Sequence, residues 1–523
     1  MSSFFYNQQN RIMKIRSNIL KLCLFATGLS GIVAEYILST LATYFLGNSV
    51  LQWTMIVSIM LFSMGVGSRL SKYFETNLLH KFIIIEFTLS ILTALVSVIT
   101  YFIAGISMYT GFVIYTMSII IGVLIGMEIP LVVRLNEEFE ILKINISTVL
   151  EKDYYGSLVG GIFFAFFGLP ILGLTYTPFV LGFINFSVAI VLVAMLWNIL
   201  TKPVQKRLSI SAITVLLFWT SGILLAKPIV DLGEEVRYKD RVIYSKQTKY
   251  QKIVLTQYQS DYWLYINGNQ QLSTIDEAMY HEPLVQPAMK LHPYPAEILI
   301  LGGGDGCAAR EVLKYKSVNN LTLVDLDPVM TDLGSNHPIL TELNKNALHN
   351  NKVHIINQDA YTWLEKTIGF FDIIIIDLPD PKTIELGRLY SFEFYKLCER
   401  HLRPNGLIVT QAGSPYYASK AFRCIKKSME AAGLNCIPLH NQVITLGEWG
   451  WIIGSKEIDS LSLKQGLQQL SFDDIQTKWV NKDAMKLMTS FGKDTFDPGE
   501  VEINTIHHPV LFKYYKNGAW DLY

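Results

Sequence analysis

Charge is scarce in this sequence. Only 17% of its 523 residues are Asp, Glu, Lys or Arg, against about 25% in a typical soluble domain. Half are hydrophobic, and the mean hydropathy is +0.30. This excludes a disordered chain, a coiled coil and a collagen-like fibre, and argues against an ordinary soluble enzyme. Neither sign of charge is in excess, with 44 basic residues against 44 acidic ones. The composition therefore points to neither a nucleic-acid partner nor a polyanionic tail. Cysteine is sparse too. Cys23, Cys307, Cys398, Cys424 and Cys436 are odd in number and form no C-x-x-C pair. That argues against a disulfide framework or a zinc site, and it suits reducing surroundings for the later part of the chain.

What is present divides near residue 227. Before it lie seven apolar stretches, at about 18–42, 50–68, 82–104, 108–133, 156–174, 177–199 and 208–226. Each is near the ~20 residues that a helix needs to cross hydrocarbon. Arg11, Lys14 and Arg16 precede the first, as in a signal peptide, but the run is too long and six more follow. Lys and Arg recur at Arg69, Lys72 and Lys81, at Arg134, Lys143 and Lys152, and at Lys202, Lys206 and Arg207, and are absent from 43–49, 105–107 and 175–176. The positive-inside rule then predicts a cytoplasmic N-terminus. Seven crossings would put the later part outside and six would keep it inside. The weakest stretches are 156–174 and 208–226, and the count stays open between six and seven. Glu35, Glu86 and Glu128 interrupt the apolar runs. Each serves either a polar path for a cationic solute or a hydrogen bond to a neighbouring helix. Small residues such as Gly28, Gly67, Gly122, Gly126, Gly156 and Gly160 predict close helix contacts.

After residue 227 the apolar runs are short. Residues 241–244, 252–257 and 262–266 read as strands, and Asn267-Gly268 is a type I′ hairpin signal. A helix is expected over 276–292, capped by Thr274 or Asp276. The strand 297–301 then runs into Gly302-Gly-Gly-Asp305-Gly306 and a helix over 308–315, the first unit of a Rossmann-like sheet. Three further strands, 321–324, 353–356 and 372–376, lead to Asp325, Asp359 and the pair Asp377 and Asp380. Acids at the carboxyl ends of successive strands are where open α/β sheets bind ligands, although a helix cap or turn is the plain alternative for each. No lysine and hydroxyl follow the glycine loop as in a phosphate-binding loop, which disfavours phosphoryl transfer. Asp305 inside the loop would repel a pyrophosphate, and it suits a positively charged ligand.

These residues resemble the spermidine synthase (polyamine aminopropyltransferase) family over about 242–455. The pieces that carry the resemblance include Tyr250-Gln251, Asn267-Gly-Asn-Gln-Gln271, Asp276-Glu-Ala-Met-Tyr280-His281-Glu282, the glycine block with Arg310-Glu311, Asp325-Leu-Asp327, Gln358-Asp359, Asp377-Leu-Pro-Asp380, Leu389-Tyr390, Gln411-Ala-Gly and Gly447-Glu-Trp-Gly450. The whole chain is similar to the bacterial membrane-bound branch, with a multi-spanning region before the synthase domain. The resemblance implies a polytopic helical region followed by a small β-hairpin domain and a Rossmann-like, methyltransferase-type domain. The expected boundaries are a cytoplasmic tail at 1–17, a transmembrane region at 18–226, a strand-rich part at 227–292, the Rossmann-like domain at 293–455 and an extension at 456–523.

It also implies an enzyme of the cell membrane, of bacterial inner-membrane type. The enzyme would move the aminopropyl group of decarboxylated S-adenosylmethionine to putrescine, giving spermidine and methylthioadenosine, with no metal or bound cofactor, in an oligomer such as soluble relatives form. By position, Gln251, Gln271, His281, Asp305, Asp325 and Asp359 resemble donor contacts, with Asp325 at the ribose and Asp359 at the adenine amine. Asp377 resembles the general base, and Tyr280 and Asp380 the acceptor contacts. Three departures fall on the acceptor side. They are Leu378-Pro379 where the family often has two serines, Lys382-Thr-Ile after Asp-Pro, and Ile444-Thr445-Leu446 before Gly447. The alternatives are a methyltransferase using intact S-adenosylmethionine, which Asp305 opposes, and a polyamine transport or sensing protein whose synthase-like domain only binds.

Overall fold

The computed structural model describes residues 2–47, 49–107, 109–137, 141–197, 200–492 and 499–520, with side chains from residue 17 onward apart from that of residue 196, so those of Arg11, Lys14 and Arg16 lie outside it. Residues 198 and 199, at the end of the expected stretch 177–199, are also outside the described residues. The chain divides into two compact units, Met1–Tyr258 and Gln259–Tyr523.

In the first unit, long apolar runs form α1 (Ser2–Leu46), α2 (Ser49–Leu70), α3 (Leu78–Ile106), α4 (Thr110–Asn136), α5 (Leu142–Phe163), α6 (Gly173–Leu196) and α7 (Lys202–Tyr238), with Pro130, Pro178 and Pro228 inside α4, α6 and α7. Among the described residues, six helical stretches are long and apolar enough to cross a membrane. The fifth, Leu142–Met195, is 54 residues long and joins two of the expected stretches. At ~1.5 Å per residue it is more than twice as long as the ~30 Å of hydrocarbon. It widens into a π-helical segment at Phe164–Leu172, and at Gly173 (φ 65°, ψ −174°) the backbone leaves helical geometry. Small residues let the helices meet as expected. A Cβ on Gly126 would lie 2.1 Å from Met64 O, and one on Gly156 would lie 2.0 Å from Phe25 O.

One expected boundary needs correction. The first helix begins at Ser2, so residues 2–17 are helical and continuous with the first apolar stretch. α7 runs through residue 227 to Tyr238, because Glu234, Glu235 and Arg237 change the polarity without breaking the helix. Buried Glu234 is held by Lys252 at 2.7 Å and by the Ser245 hydroxyl at 2.7 Å. Those partners sit on a hairpin of β1 (Arg241–Gln247) and β2 (Lys252–Tyr258).

The second unit opens with β3 (Asp261–Ile266) and β4 (Asn269–Ser273). Asn267 and Gly268, at φ 50° and 78°, make the left-handed turn that the Asn-Gly signal predicts. α8 spans Ala278–Leu291, and neither expected cap serves it. Thr274 accepts from Tyr262 N and Asp276 from Thr445 N. Next come β5 (Glu297–Gly302), α9 (Cys307–Val312), β6 (Asn320–Asp325), α10 (Pro328–Asn336), α11 (Pro338–Leu343), β7 (Val353–Asn357), α12 (Ala360–Lys366), β8 (Phe371–Asp377), β9 (Leu402–Gly413), β10 (Asn435–Val443) and β11 (Gly447–Ser455). α9 is shorter than the expected 308–315 helix.

Strands β5 to β11 form one sheet in the order β10-β11-β9-β8-β5-β6-β7. β7, β6, β5, β8 and β9 run parallel, β11 pairs antiparallel with β9, and β10 pairs antiparallel with β11 and so runs with the first five. Runs such as Ile373–Ile376 are wholly buried, as a sheet covered on both faces requires. The chain order reverses between β5 and β8, which is where this architecture opens a crevice at the strands' carboxyl ends. The extension after residue 455 is packed, with short helices at Ser460–Gln469, Lys482–Met488 and Leu511–Lys516.

Candidate active site

The crevice is built from the ends of β5 and β8. Gly302, at φ 86°, ends β5, and a Cβ there would lie 2.0 Å from Asp377 O. Only glycine permits this approach, which sets the 303–306 loop beside Asp377. Asp305 turns back within that loop to accept from Cys307 N at 2.8 Å.

Tyr280 and His281 enter from α8. The Tyr280 hydroxyl donates to Asp377 Oδ1 at 2.9 Å. His281 Nε2 lies 3.8 Å from Asp305 Oδ1 and 3.9 Å from Asp377 Oδ2. The other ring nitrogen faces Glu277 O at 3.0 Å and Glu277 Oε2 at 3.3 Å. Glu277 in turn receives the Arg310 guanidinium in two bonds, at 3.0 and 2.7 Å. A buried relay therefore runs from Arg310 through Glu277 and His281 to the two aspartates.

The charges follow from this relay. Burial opposes a charged ring at His281, but the Glu277 hydrogen bond and the nearby Asp305 and Asp377 outweigh it and raise its pKa to about 9. Burial also opposes the Glu277 carboxylate, yet His281 and Arg310 lower its pKa to about 2. Asp377 is pushed up to about 6, chiefly by burial and also by Asp305, while His281 and Tyr280 pull the other way. The relay thus sets three acids, Glu277, Asp305 and Asp377, against two bases, His281 and Arg310. His281, Asp305 and Asp377 stand close enough to share a cation. An imidazolium has no lone pair to offer a metal, so the set suits an organic cation better.

The remaining acids are placed less uniformly. Asp325, at the end of β6, accepts from Gly304 N at 3.2 Å and Asp327 N at 2.9 Å. Burial raises its pKa to about 6. Asp359 caps α12 through Thr362 N at 3.0 Å and pairs with Arg388, so the plain reading describes its present bonds. A carboxylate accepts about four bonds, and both acids keep capacity for a ligand.

Asp380 follows β8 on a loop pinned by residues from the expected motifs. Gln411 Nε2 donates to Leu378 O at 2.8 Å, and the Tyr390 hydroxyl lies 3.1 and 3.0 Å from Leu378 O and Pro379 O. The structure does not bring Gln271 to the cluster; its amide donates to Asn269 O and Gln270 O. Gln251 belongs to the first unit, in the turn between β1 and β2, where its N–H donates to Thr248 Oγ1 at 3.0 Å.

Two functional contributions escape the sequence reading. Glu277 stands inside a recognised motif, but nothing in its spacing reveals that it links Arg310 to His281. The Tyr515 hydroxyl, from the extension, donates to Asp380 Oδ2 at 2.7 Å. The only sequence signal for it was the aromatic content of the tail.

Residues 277–465 match the family model for the spermine/spermidine synthase domain. The chain is 41% identical over 504 residues to polyamine aminopropyltransferase 2 of Aquifex aeolicus (strain VF5), covering 95% of this chain and 98% of that one. The chain belongs to the polyamine aminopropyltransferase family. It is an aminopropyltransferase. The polyamine aminopropyltransferase of Leptospira interrogans is 37% identical, with 93% and 95% of the two chains covered. These matches run nearly end to end, so the helical unit belongs to the aminopropyltransferase pattern as much as the Rossmann-like unit does. Among solved structures, a spermidine synthase in complex with the transition-state analogue AdoDATO is 26% identical, with a TM-score of 0.45, over 48% of this chain and 86% of that one.

Proposed function

We propose that this protein is a membrane-integral aminopropyltransferase. It joins the aminopropyl group of decarboxylated S-adenosylmethionine to putrescine and releases spermidine and methylthioadenosine. The observation that carries this reading is the cluster of Tyr280, His281, Asp305 and Asp377 at the switch point between β5 and β8. The donor is a sulfonium with a primary ammonium and no carboxylate. Asp305 pairs with that ammonium and would repel the carboxylate of ordinary S-adenosylmethionine. Asp325 takes the ribose hydroxyls and Asp359 the adenine amine, with His281 completing the donor site. The imidazolium of His281 balances one of the two inner carboxylates and holds both in place.

The acceptor's attacking nitrogen must be neutral. Its lone pair forms a bond to the carbon next to sulfur, the carbon–sulfur bond breaks, and its electron pair neutralises the sulfonium. The new ammonium gives its proton to Asp377, which Tyr280 orients. The sulfonium is already a good leaving group, so most of the acceleration comes from alignment in a site with little water. Asp380 anchors the acceptor's far amine. The apolar helices of the first unit hold the enzyme in a bacterial inner membrane.

The test is product formation by purified protein in detergent, given decarboxylated S-adenosylmethionine and a panel of diamines. Spermidine and methylthioadenosine should appear together with putrescine. No methylthioadenosine with any diamine would refute the reading.

A further inference from the structure

Asp380 already faces an ammonium group of the chain itself. Lys382 Nζ lies 3.6 Å from Asp380 Oδ2, donates to Asn269 Oδ1 at 2.8 Å and stands 5.8 Å from the Tyr515 ring centre. The same carboxylate oxygen accepts from the Tyr515 hydroxyl at 2.7 Å, and Gln411 Nε2 lies 3.4 Å from the other. A carboxylate, an amide oxygen and an aromatic face around one primary ammonium are the set that recognises an alkylammonium. Lys382 N donates to Asp380 O at 2.7 Å, which keeps the side chain within reach. The lysine is also free to leave, because its side chain is 37% exposed while that of Asp380 is 13% exposed.

We propose that Lys382 is an internal competitor for the acceptor's far ammonium, and so a determinant of acceptor affinity and selectivity. This rests on the reading of Asp380 as the acceptor's anchor. Two ammonium groups repel each other at one carboxylate, so a diamine reaches Asp380 only by displacing Lys382 Nζ. An amine with no second ammonium meets no such competition. Lys382 therefore narrows the preference for diamines over monoamines.

The experiment measures acceptor KM for putrescine, 1,5-diaminopentane and n-butylamine, with saturating decarboxylated S-adenosylmethionine, in full-length wild type, Lys382→Met and Lys382→Arg. In Lys382→Met the KM for both diamines should fall about two- to five-fold, the range that a partly exposed ion pair supports, and that for butylamine should stay put. Lys382→Arg, which keeps the charge, should stay near wild type. Transfer with an unchanged or raised diamine KM in Lys382→Met overturns the inference and leaves the proposed function standing. So does an equal fall for butylamine. No transfer to any amine by wild type overturns the proposed function and this inference with it.

Discussion

The Rossmann-like unit and the α3 and α4 helices of the first unit bury acids under opposite conditions. In the Rossmann-like unit, each buried glutamate has partners. Glu277 holds Arg310 and His281. Glu282 accepts from the backbone N–H groups of Lys478, Trp479 and Val480. Glu311 holds Lys314 at 2.6 Å and Gln286 at 2.6 Å. In the helical unit, Glu86 is fully buried, and among the described residues neither of its oxygens has a hydrogen-bond partner; one oxygen of Glu128 is likewise alone. A buried charge is expensive unless it is paired. The contrast separates acids built into a charge network, where removing one member strands the others, from acids that no neighbour needs.

Four substitutions can break or sharpen this contrast. The largest effect is expected at the reacting centre, where Asp377→Asn should lower kcat by ~10²–10⁴, the usual share of a general base. Methylthioadenosine release measures it, and wild-type turnover would remove Asp377 from the chemistry. Glu277→Gln comes next. It leaves Arg310 and His281 unpaired in the core, and should cost the Rossmann-like unit ~3–5 kcal/mol in chemical denaturation; a loss under ~1 kcal/mol would erase the contrast. Asp305→Asn should lower the preference for decarboxylated over intact S-adenosylmethionine about ten- to a hundred-fold in competition binding, since one charged contact is worth ~1.5–3 kcal/mol. An unchanged preference would show that donor choice lies elsewhere. The smallest effect is expected in the helical unit. Glu86→Gln should shift stability by less than ~1 kcal/mol, and a loss as large as that of Glu277→Gln would reveal a partner for Glu86 that the fold does not display.

The contrast also explains which features were legible in the sequence. Local signals were plain to read. Asn267-Gly268 predicts its turn, the run at 372–376 its buried strand, and the 302–306 glycines the approach to the neighbouring strand. The carboxyl ends of β6 and β8 follow from the strand positions, which placed Asp325 and Asp377. Partners brought from far along the chain left no such mark. Tyr515 meets Asp380 across 135 residues, and Asp276 turns away from its own helix to Thr445 across 169. The limits of the helices were blurred for a different reason. A fall in hydropathy at 227 does not stop α7, because Glu and Arg are good helix formers. Nor does a continuous apolar run show where Gly173 bends the backbone.

The most direct measurement is the pH dependence of kcat/KM for the diamine in wild type and Asp377→Asn. The rate already falls towards acid because the neutral amine becomes scarcer. Asp377 accepts a proton only while ionised, so the fall should steepen below about pH 6, where burial has placed its titration. The variant should lack that second break. One unbroken slope through pH 6 in wild type, or the same break in both proteins, would contradict Asp377 as the proton's destination.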